Sequence, residues 1–306
     1  MNNSTRPENR QPTVAQQIID KGEAGLWEQL EAALSKRIET SPSDQACLTR
    51  LASILRQRGE LECAADIYQR LASFNPADST IALLEAICSG KPAPARVPTD
   101  SITPAPFLRM REFLSPEARH GLLRLFSAKQ HTLKPLEISN LDHSQKIQTR
   151  QDDSVRIQFG VYCEAELRQV FESLINEHLP SITHALKIES FQPGRHILRL
   201  DSTPHNGFGG IHQDVGLGAQ LIYLYYFHTH PKQFTGGDLL IHDQHVQDNL
   251  PQHDSFTTIR HEDNTLVIFE PHFFHQVTTV KSHVPNLTPR NARLSVCGFI
   301  HPVGEC

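Results

Sequence analysis

The chain has 306 residues, a length that favours two domains over one. Hydrophobic residues make up 38% and charged residues 21%, as in ordinary globular proteins, and a net charge of −5 excludes a strongly basic nucleic-acid-binding surface. No uncharged apolar run approaches the length of a membrane span, and the polar start MNNSTRPENRQPT has no apolar core of a secretory signal. The expected setting is therefore the cytoplasm. The six cysteines (Cys47, Cys63, Cys88, Cys163, Cys297 and Cys306) include no CxxC pair, so neither a disulfide framework nor a cysteine zinc site is expected.

The N-terminal third is helical. Leu48, Leu51, Ala52 and Leu55 recur as one helical stripe, Gly59 marks a tight turn, and Ala64, Tyr68 and Leu71 form a second stripe ended by Pro76. This 45–78 unit resembles a tetratricopeptide repeat. Gly25 and Pro42 fall at the same phase one register earlier, so 11–44 reads as a degenerate preceding repeat and 79–88 as a capping helix. So short an array needs a packing surface on its neighbour. The bland alternative is a small helical bundle. Residues 89–106 hold five prolines in 18 positions and form the spacer between a helical domain, 1–88, and a second domain, 107–306.

Ser115-Pro116-Glu117 reads as a helix start, with the helix running to about Lys129. Residues 130–153 are polar and irregular, VRIQFGVY (155–162) is strand-like, and a long amphipathic helix runs from about Glu164 to Leu186. Seven short β-rich runs follow: HILRL, AQLIYLYYF, GDLLIH, SFTTIR, TLVIF, FHQVTTV and RLSVCGFI. Helices before strands at this spacing give an α+β domain with a jelly-roll core.

Of the 18 histidines, 12 lie between His205 and His301. His212-Gln213-Asp214 places an imidazole and a carboxylate on one side of an extended backbone, and His275 follows 61 residues after Asp214. Two His and one carboxylate on one face of an octahedral ferrous ion leave three cis positions, two for a chelating 2-oxo acid and one for dioxygen. The distal carboxylate of that acid needs a fixed cation, which Arg293 at the start of the last strand supplies. Arg293, Ser295, Cys297 and Phe299 share a strand face, so Ser295 is a second contact to the carboxylate or an ordinary strand polar residue. His272 competes with His275, Arg290 with Arg293, and a turn-capping pair is the alternative for His212 and Asp214. His242, His245, His253, His261 and His283 read as loop or surface residues, and Arg199 as a solvated strand charge or a pocket-mouth residue.

From about Pro106 to Pro302 the chain resembles Fe(II)- and 2-oxoglutarate-dependent oxygenases of the prolyl 4-hydroxylase-like group. PFLRMREFLSPEARHGLL, HQD, the YYF strand, TGGDLLIH, NTLVIFEPHFFHQV and RLSVCGFI carry the resemblance in that order. It implies a double-stranded β-helix, iron held by His212, Asp214 and His275, 2-oxoglutarate anchored by Arg293, and contact of Tyr226 with the distal carboxylate. The 18-residue gap from His275 to Arg293 is longer than the family's, and Leu200 and Gly209 stand where the family carries tyrosines. The implied activity is a dioxygenase that hydroxylates an unactivated C–H with Fe(II), 2-oxoglutarate and dioxygen. The helical repeats favour an amino-acid side chain in a peptide, protein or carrier-tethered substrate. A free amino acid or small metabolite is the alternative. Rival classes are a non-catalytic scaffold and a cupin-like zinc or manganese enzyme, which leaves Arg293 without a role. Expected partners are a peptide, protein or small-molecule substrate, with a homodimer left open and neither nucleic acid nor membrane involved.

Overall fold

The computed structural model describes residues 12–94, 102–135, 159–284 and 292–304. The irregular stretch 136–153, the first residues of the 155–162 run, the middle of the proline-rich spacer and Arg290 lie outside the described residues. No described helix is long and apolar enough to cross a membrane.

Helix α1 (Val14–Lys21) starts at Thr13, whose hydroxyl accepts from the Gln16 amide at 3.1 Å. It runs through a wide turn, Gly22–Leu26, into α2 (Trp27–Thr40). Helices α3 (Gln45–Arg58) and α4 (Leu61–Phe74) form a hairpin around Gly59, and α5 (Ser79–Ser89) follows with Asp78 as its cap. Gly59 takes φ +75°, a left-handed conformation that ends α3 at little cost for a residue without Cβ. Gly25, also at positive φ (+104°), bends an otherwise continuous helical path, which departs from the tight turn that its phase with Gly59 suggests. The two stripes read from the sequence are buried, from Leu48 through Leu71.

Strands β1 (Ile102–Thr103) and β2 (Phe107–Arg111) lead to α6 (Pro116–Lys129). The Ser115 hydroxyl accepts from the Ala118 amide at 3.2 Å, and Pro116 fills the first turn where no amide donor is needed. Strands β3 (Lys134–Pro135) and β4 (Phe159–Tyr162) precede helix α7 (Glu164–Leu186). The remaining strands are β5 (Pro193–Thr203), β6 (Gly209–His212), β7 (Leu221–Phe227), β8 (Phe234–Thr235), β9 (Leu239–His245), β10 (Pro251–Ile259), β11 (Thr265–Phe269), β12 (His275–Val277), β13 (Lys281–Ser282) and β14 (Arg293–Pro302). The larger sheet has the order β2-β11-β7-β14-β5-β4-β3, and the facing sheet runs β1-β9-β12-β6 with β10 also on β9.

Strand alternation divides the larger sheet into two apolar faces. Leu198, Leu200, Tyr223, Tyr225, Leu294 and Val296 pack with Phe126, Leu167 and Phe171 of the two long helices. Ile222, Leu224, Val267, Phe269, Cys297 and Phe299 face the other way and meet Leu239 and Ile241 of the second sheet. Every residue of β7 is buried, which is why LIYLYYF reads as a continuous apolar run. Leu200 therefore belongs to the helix-facing core. The strands not anticipated are the two-residue β1, β3, β8 and β13, together with β2 and β6. Strand β6 is four residues long with two glycines, too short and too weak in β propensity to register as a strand.

The helical unit covers the β10 edge of the smaller sheet. Arg56 of α3 donates from Nη1 and Nη2 to the Asp243 carboxylate at 3.0 and 2.7 Å, and to Thr257 and Ser255 at 3.1 Å each. Burial works against the Arg56 charge, yet the Asp243 carboxylate holds the guanidinium above its ordinary pKa. The Thr258 hydroxyl donates to the Gln57 carbonyl at 2.6 Å, and Gln16 of α1 accepts from the Thr279 amide at 3.2 Å. An uncovered strand edge invites pairing with another chain, and here helices close it.

Two outcomes follow from these contacts. Arg56→Ala leaves the Asp243 carboxylate buried without its partner and should cost about 3–5 kcal/mol. The paired change Arg56→Met with Asp243→Leu should recover most of that loss. Urea unfolding followed by the fluorescence of Trp27, the chain's only tryptophan, measures both. The second outcome concerns acid. His196 and His242 are fully buried, and burial lowers each to about 4. The unfolded chain then binds protons below about pH 6.5 that the folded state refuses, so stability should fall as pH drops from 6.5 towards 4. Each residue contributes about 2 kcal/mol by pH 5, and His242→Gln should flatten the pH profile by that amount.

Candidate metal centre

Strands β6 and β12 are antiparallel neighbours, and His212, the last residue of one, is register partner of His275, the first of the other. Their ring centroids are 4.1 Å apart. Asp214 lies just beyond β6, with its amide donating to the Pro271 carbonyl at 3.0 Å. Its backbone (φ −114°, ψ 25°) is not extended, which corrects the expectation of strand alternation across His212-Gln213-Asp214. The turn, not the pleat, brings the carboxylate round. Asp214 Oδ1 lies 3.9 Å from His212 Nε2 and Oδ2 lies 3.5 Å from His275 Nε2. One ligand atom from each of the three residues falls within 4.8 Å of the others.

The imidazoles are oriented from behind. His212 Nδ1 lies 2.7 Å from the Gly210 carbonyl and His275 Nδ1 lies 3.0 Å from the Phe273 carbonyl. A carbonyl only accepts, so each Nδ1 carries a proton, and in the neutral ring each Nε2 is the atom left to present a lone pair on the Asp214 side. Two imidazole Nε2 atoms and a carboxylate converge. That donor set fits a divalent cation with open positions. His272 is directed elsewhere, with Nδ1 3.6 Å from Glu270 and its ring against Phe273. Its carbonyl accepts from Gln213 and Gln244, which pins the turn preceding His275.

A second pocket surrounds Arg293, which is buried at 2% exposure. Its Nε donates to the Gly237 carbonyl at 2.5 Å and its Nη1 to the Ser295 hydroxyl at 3.1 Å. The guanidinium lies 5.1 Å from the Tyr226 ring centroid, and the His261 ring lies 4.8 Å from the same ring. Arg293 Nη2, the Tyr226 hydroxyl and His261 Nδ1 are all buried and without a hydrogen-bond partner. Buried polar atoms are seldom left unpaired. Adjacent guanidinium and phenol donors fit a ligand carboxylate. Burial pushes the Tyr226 phenol up, with Arg293 opposing, so the hydroxyl keeps its proton at neutral pH. Burial and then the Arg293 charge hold His261 well below the ordinary histidine range, so it is neutral there.

The structure thus brings together Arg293, Ser295 and Tyr226, and separately His212, Asp214 and His275. It corrects three surface readings. His261 and His242 are buried, and Arg199 is ion-paired with Asp201 on the inner face instead of solvated. Gly237 was also missed, because TGGD reads simply as a turn. Its φ is +71°, and a Cβ there would lie 2.7 Å from Arg293 Cδ, so side-chain-free backbone is what admits the arginine. His228, His230 and Asp263 form another compact group, but Arg119 already pairs with Asp263 at 2.8 Å.

Residues 196–301 match the model of the 2OG-Fe(II) oxygenase superfamily. An uncharacterized PKHD-type hydroxylase of Synechocystis sp. is 26% identical over 207 residues, covering 64% of this chain and 63% of that protein. The match thus spans less than two thirds of the relative's length. Among solved structures, a Pseudomonas putida prolyl-4-hydroxylase aligns with a TM-score of 0.44 and 14% identity, over 65% of this chain and 94% of that one. A viral collagen prolyl hydroxylase of Paramecium Bursaria Chlorella virus-1 aligns with a TM-score of 0.39 and 13% identity, over 64% and 96%. The match to the 2OG-Fe(II) oxygenase superfamily model contains all six side chains of the two pockets, so residues 196–301 resemble a domain whose cofactors are Fe(II), 2-oxoglutarate and dioxygen.

Proposed function

We propose that the protein is a 2-oxoglutarate-dependent dioxygenase that hydroxylates an unactivated C–H of an amino-acid side chain. The observation that carries this reading is the pairing of a converging His212–Asp214–His275 group with a second cluster of unpaired buried polar atoms around Arg293. A zinc or manganese enzyme of cupin type uses the first and leaves the second idle. The domain from 107 to 306 holds this chemistry. The helices of 1–88, which we read as a short tetratricopeptide-like array, serve it by closing the β10 edge. The 89–106 segment connects the two.

When bound, the iron and 2-oxoglutarate turn dioxygen into the oxidant for the C–H bond, with succinate and carbon dioxide leaving. The protein's own residues position and shield. His212 Nε2, His275 Nε2 and one Asp214 oxygen hold the metal from one side, and the backbone carbonyls behind the rings fix their direction. Arg293 Nη2 and the Tyr226 hydroxyl bind the distal carboxylate of the cosubstrate. Ser295 and the Gly237 carbonyl hold the guanidinium in place for it. Leu239, Ile241, Val267 and Phe269 keep water out of the space between the sheets.

His275→Ala should abolish stoichiometric Fe(II) binding, whereas His272→Ala should retain it. Metal content after dialysis separates the two, and the reverse result assigns the third ligand to His272. Arg293→Ala should raise the 2-oxoglutarate concentration needed for half-maximal succinate formation by about two orders of magnitude, since losing one partner of a buried charged contact costs about 2–5 kcal/mol. Iron content should remain near that of the parent. Unchanged cosubstrate dependence places the carboxylate elsewhere.

A further inference from the structure

The inner face of β5 carries a charged row that the cofactor pockets do not use. Arg199, Asp201 and Thr203 stand opposite Cys297, Ser295 and Arg293 of β14, so all six point between the sheets. Arg199 Nε and Nη2 donate to the two oxygens of Asp201 at 2.6 and 2.9 Å, a bidentate pair within one strand. Their side chains are 11% and 6% exposed. The face around them is mixed, with Ile197 and Cys297 beside Arg199 and the polar Ser295, Thr203 and Arg293 beside and beyond Asp201. Burial opposes the Arg199 charge, and Asp201 more than restores it. A hydrophobic pair of equal volume would serve stability as well or better at such a place. The Arg56–Asp243 pair fastens a helix to a strand, whereas Arg199 and Asp201 lie within one strand and join no two elements.

Topology supplies its position. The chain leaves β5 at Thr203, turns over five residues and returns as β6, Gly209–His212, in the facing sheet. Three residues of return cover about 10 Å, which brings His212 back to the level of Arg199 and Asp201, with about 10 Å between facing sheets. Arg293 stands opposite Thr203, two residues and roughly 7 Å beyond Asp201. By that count Arg293 and the charged pair lie at successive heights on one face, opposite the strand that ends at His212. Arg199 is also opposite Tyr162 of β4, which is 62% exposed, so the row leads from the metal site to the surface.

We propose that Arg199 and Asp201 read the substrate as a free α-amino acid, Arg199 taking its carboxylate and Asp201 its ammonium group. The choice follows from charge. A simple anion or cation meeting a buried neutral pair would satisfy one member and strand the other. A zwitterion exchanges with both at once and leaves no buried charge unpaired. A main chain inside a peptide carries neither charge. This inference rests on the oxygenase reading and narrows its substrate from any amino-acid side chain to that of a free amino acid.

The test uses the full chain loaded with Fe(II) and 2-oxoglutarate. Each of the common L-amino acids is compared with its primary amide and with its 2-hydroxy acid, which are close in shape but lack one charge. Succinate formation above the substrate-free rate is measured, together with calorimetric binding in the absence of oxygen. At least one free amino acid should bind and raise succinate formation tenfold or more, with both analogues falling at least tenfold short. In Arg199→Gln the preference over the amide should vanish, and in Asp201→Asn the preference over the 2-hydroxy acid. A merely structural pair would shift neither preference. Analogues as effective as the free amino acids, or no response to any amino acid beside a measurable substrate-free rate, would overturn the proposal and leave the oxygenase reading standing. No succinate under any condition would defeat that reading itself. Should the variants fail to fold, the analogue series decides alone.

Discussion

Everything at this site depends on how two imidazole rings are aimed. The Gly210 and Phe273 carbonyls each engage a histidine Nδ1, so both Nε2 atoms are turned towards one carboxylate. The fold sets the geometry by making His212 and His275 register partners and by anchoring the Asp214 amide to the turn that precedes His275. Gln213 and Gln244 then hold that turn through the His272 carbonyl. Moving any one of these contacts would spread the ligand atoms and weaken the grip on a metal.

The rest of the molecule keeps the two metal-bearing strands in place. Strand β12 lies between β6 and β9, and β9 in turn pairs with β10, the edge on which the helices sit. The Arg56–Asp243 pair fastens α3 directly to β9. The helical unit is thus a structural wall of the sandwich as well as a separate array, and its two apolar stripes found their packing surface within the same chain. A free recruiting module would have left that edge open.

Much of the site was legible because its chemistry is local in sequence. HQD, FHQV and RLSV each place a donor at a strand end, and alternation along the last strand puts Arg293 and Ser295 on one side. The long helix Glu164–Leu186 and the Ser115 cap were equally plain, since periodicity and capping act within a few residues. What could not be read depends on distant partners. His261 sits in polar, turn-rich sequence and is buried against Tyr226 and the Leu294 carbonyl, while His242 ends a strand run and is buried against Phe256. Arg199 looks like an ordinary exposed strand charge until β14 and β4 flank it. Gly237 looks like punctuation until Arg293 occupies the space its missing side chain would fill. The bend at Asp214 was hidden too, because a two-residue spacing is equally compatible with a strand and a turn.

The proposed chemistry joins the His212–Asp214–His275 group and the Arg293 group in one reaction, and isotope tracing tests that union most directly. The full chain, Fe(II) and 2-oxoglutarate are incubated under oxygen-18 gas, and the succinate formed is weighed by mass spectrometry. Incorporation of one labelled oxygen atom into succinate, lost in His212→Ala, is the predicted result. Absence of succinate, or succinate free of label, would contradict it.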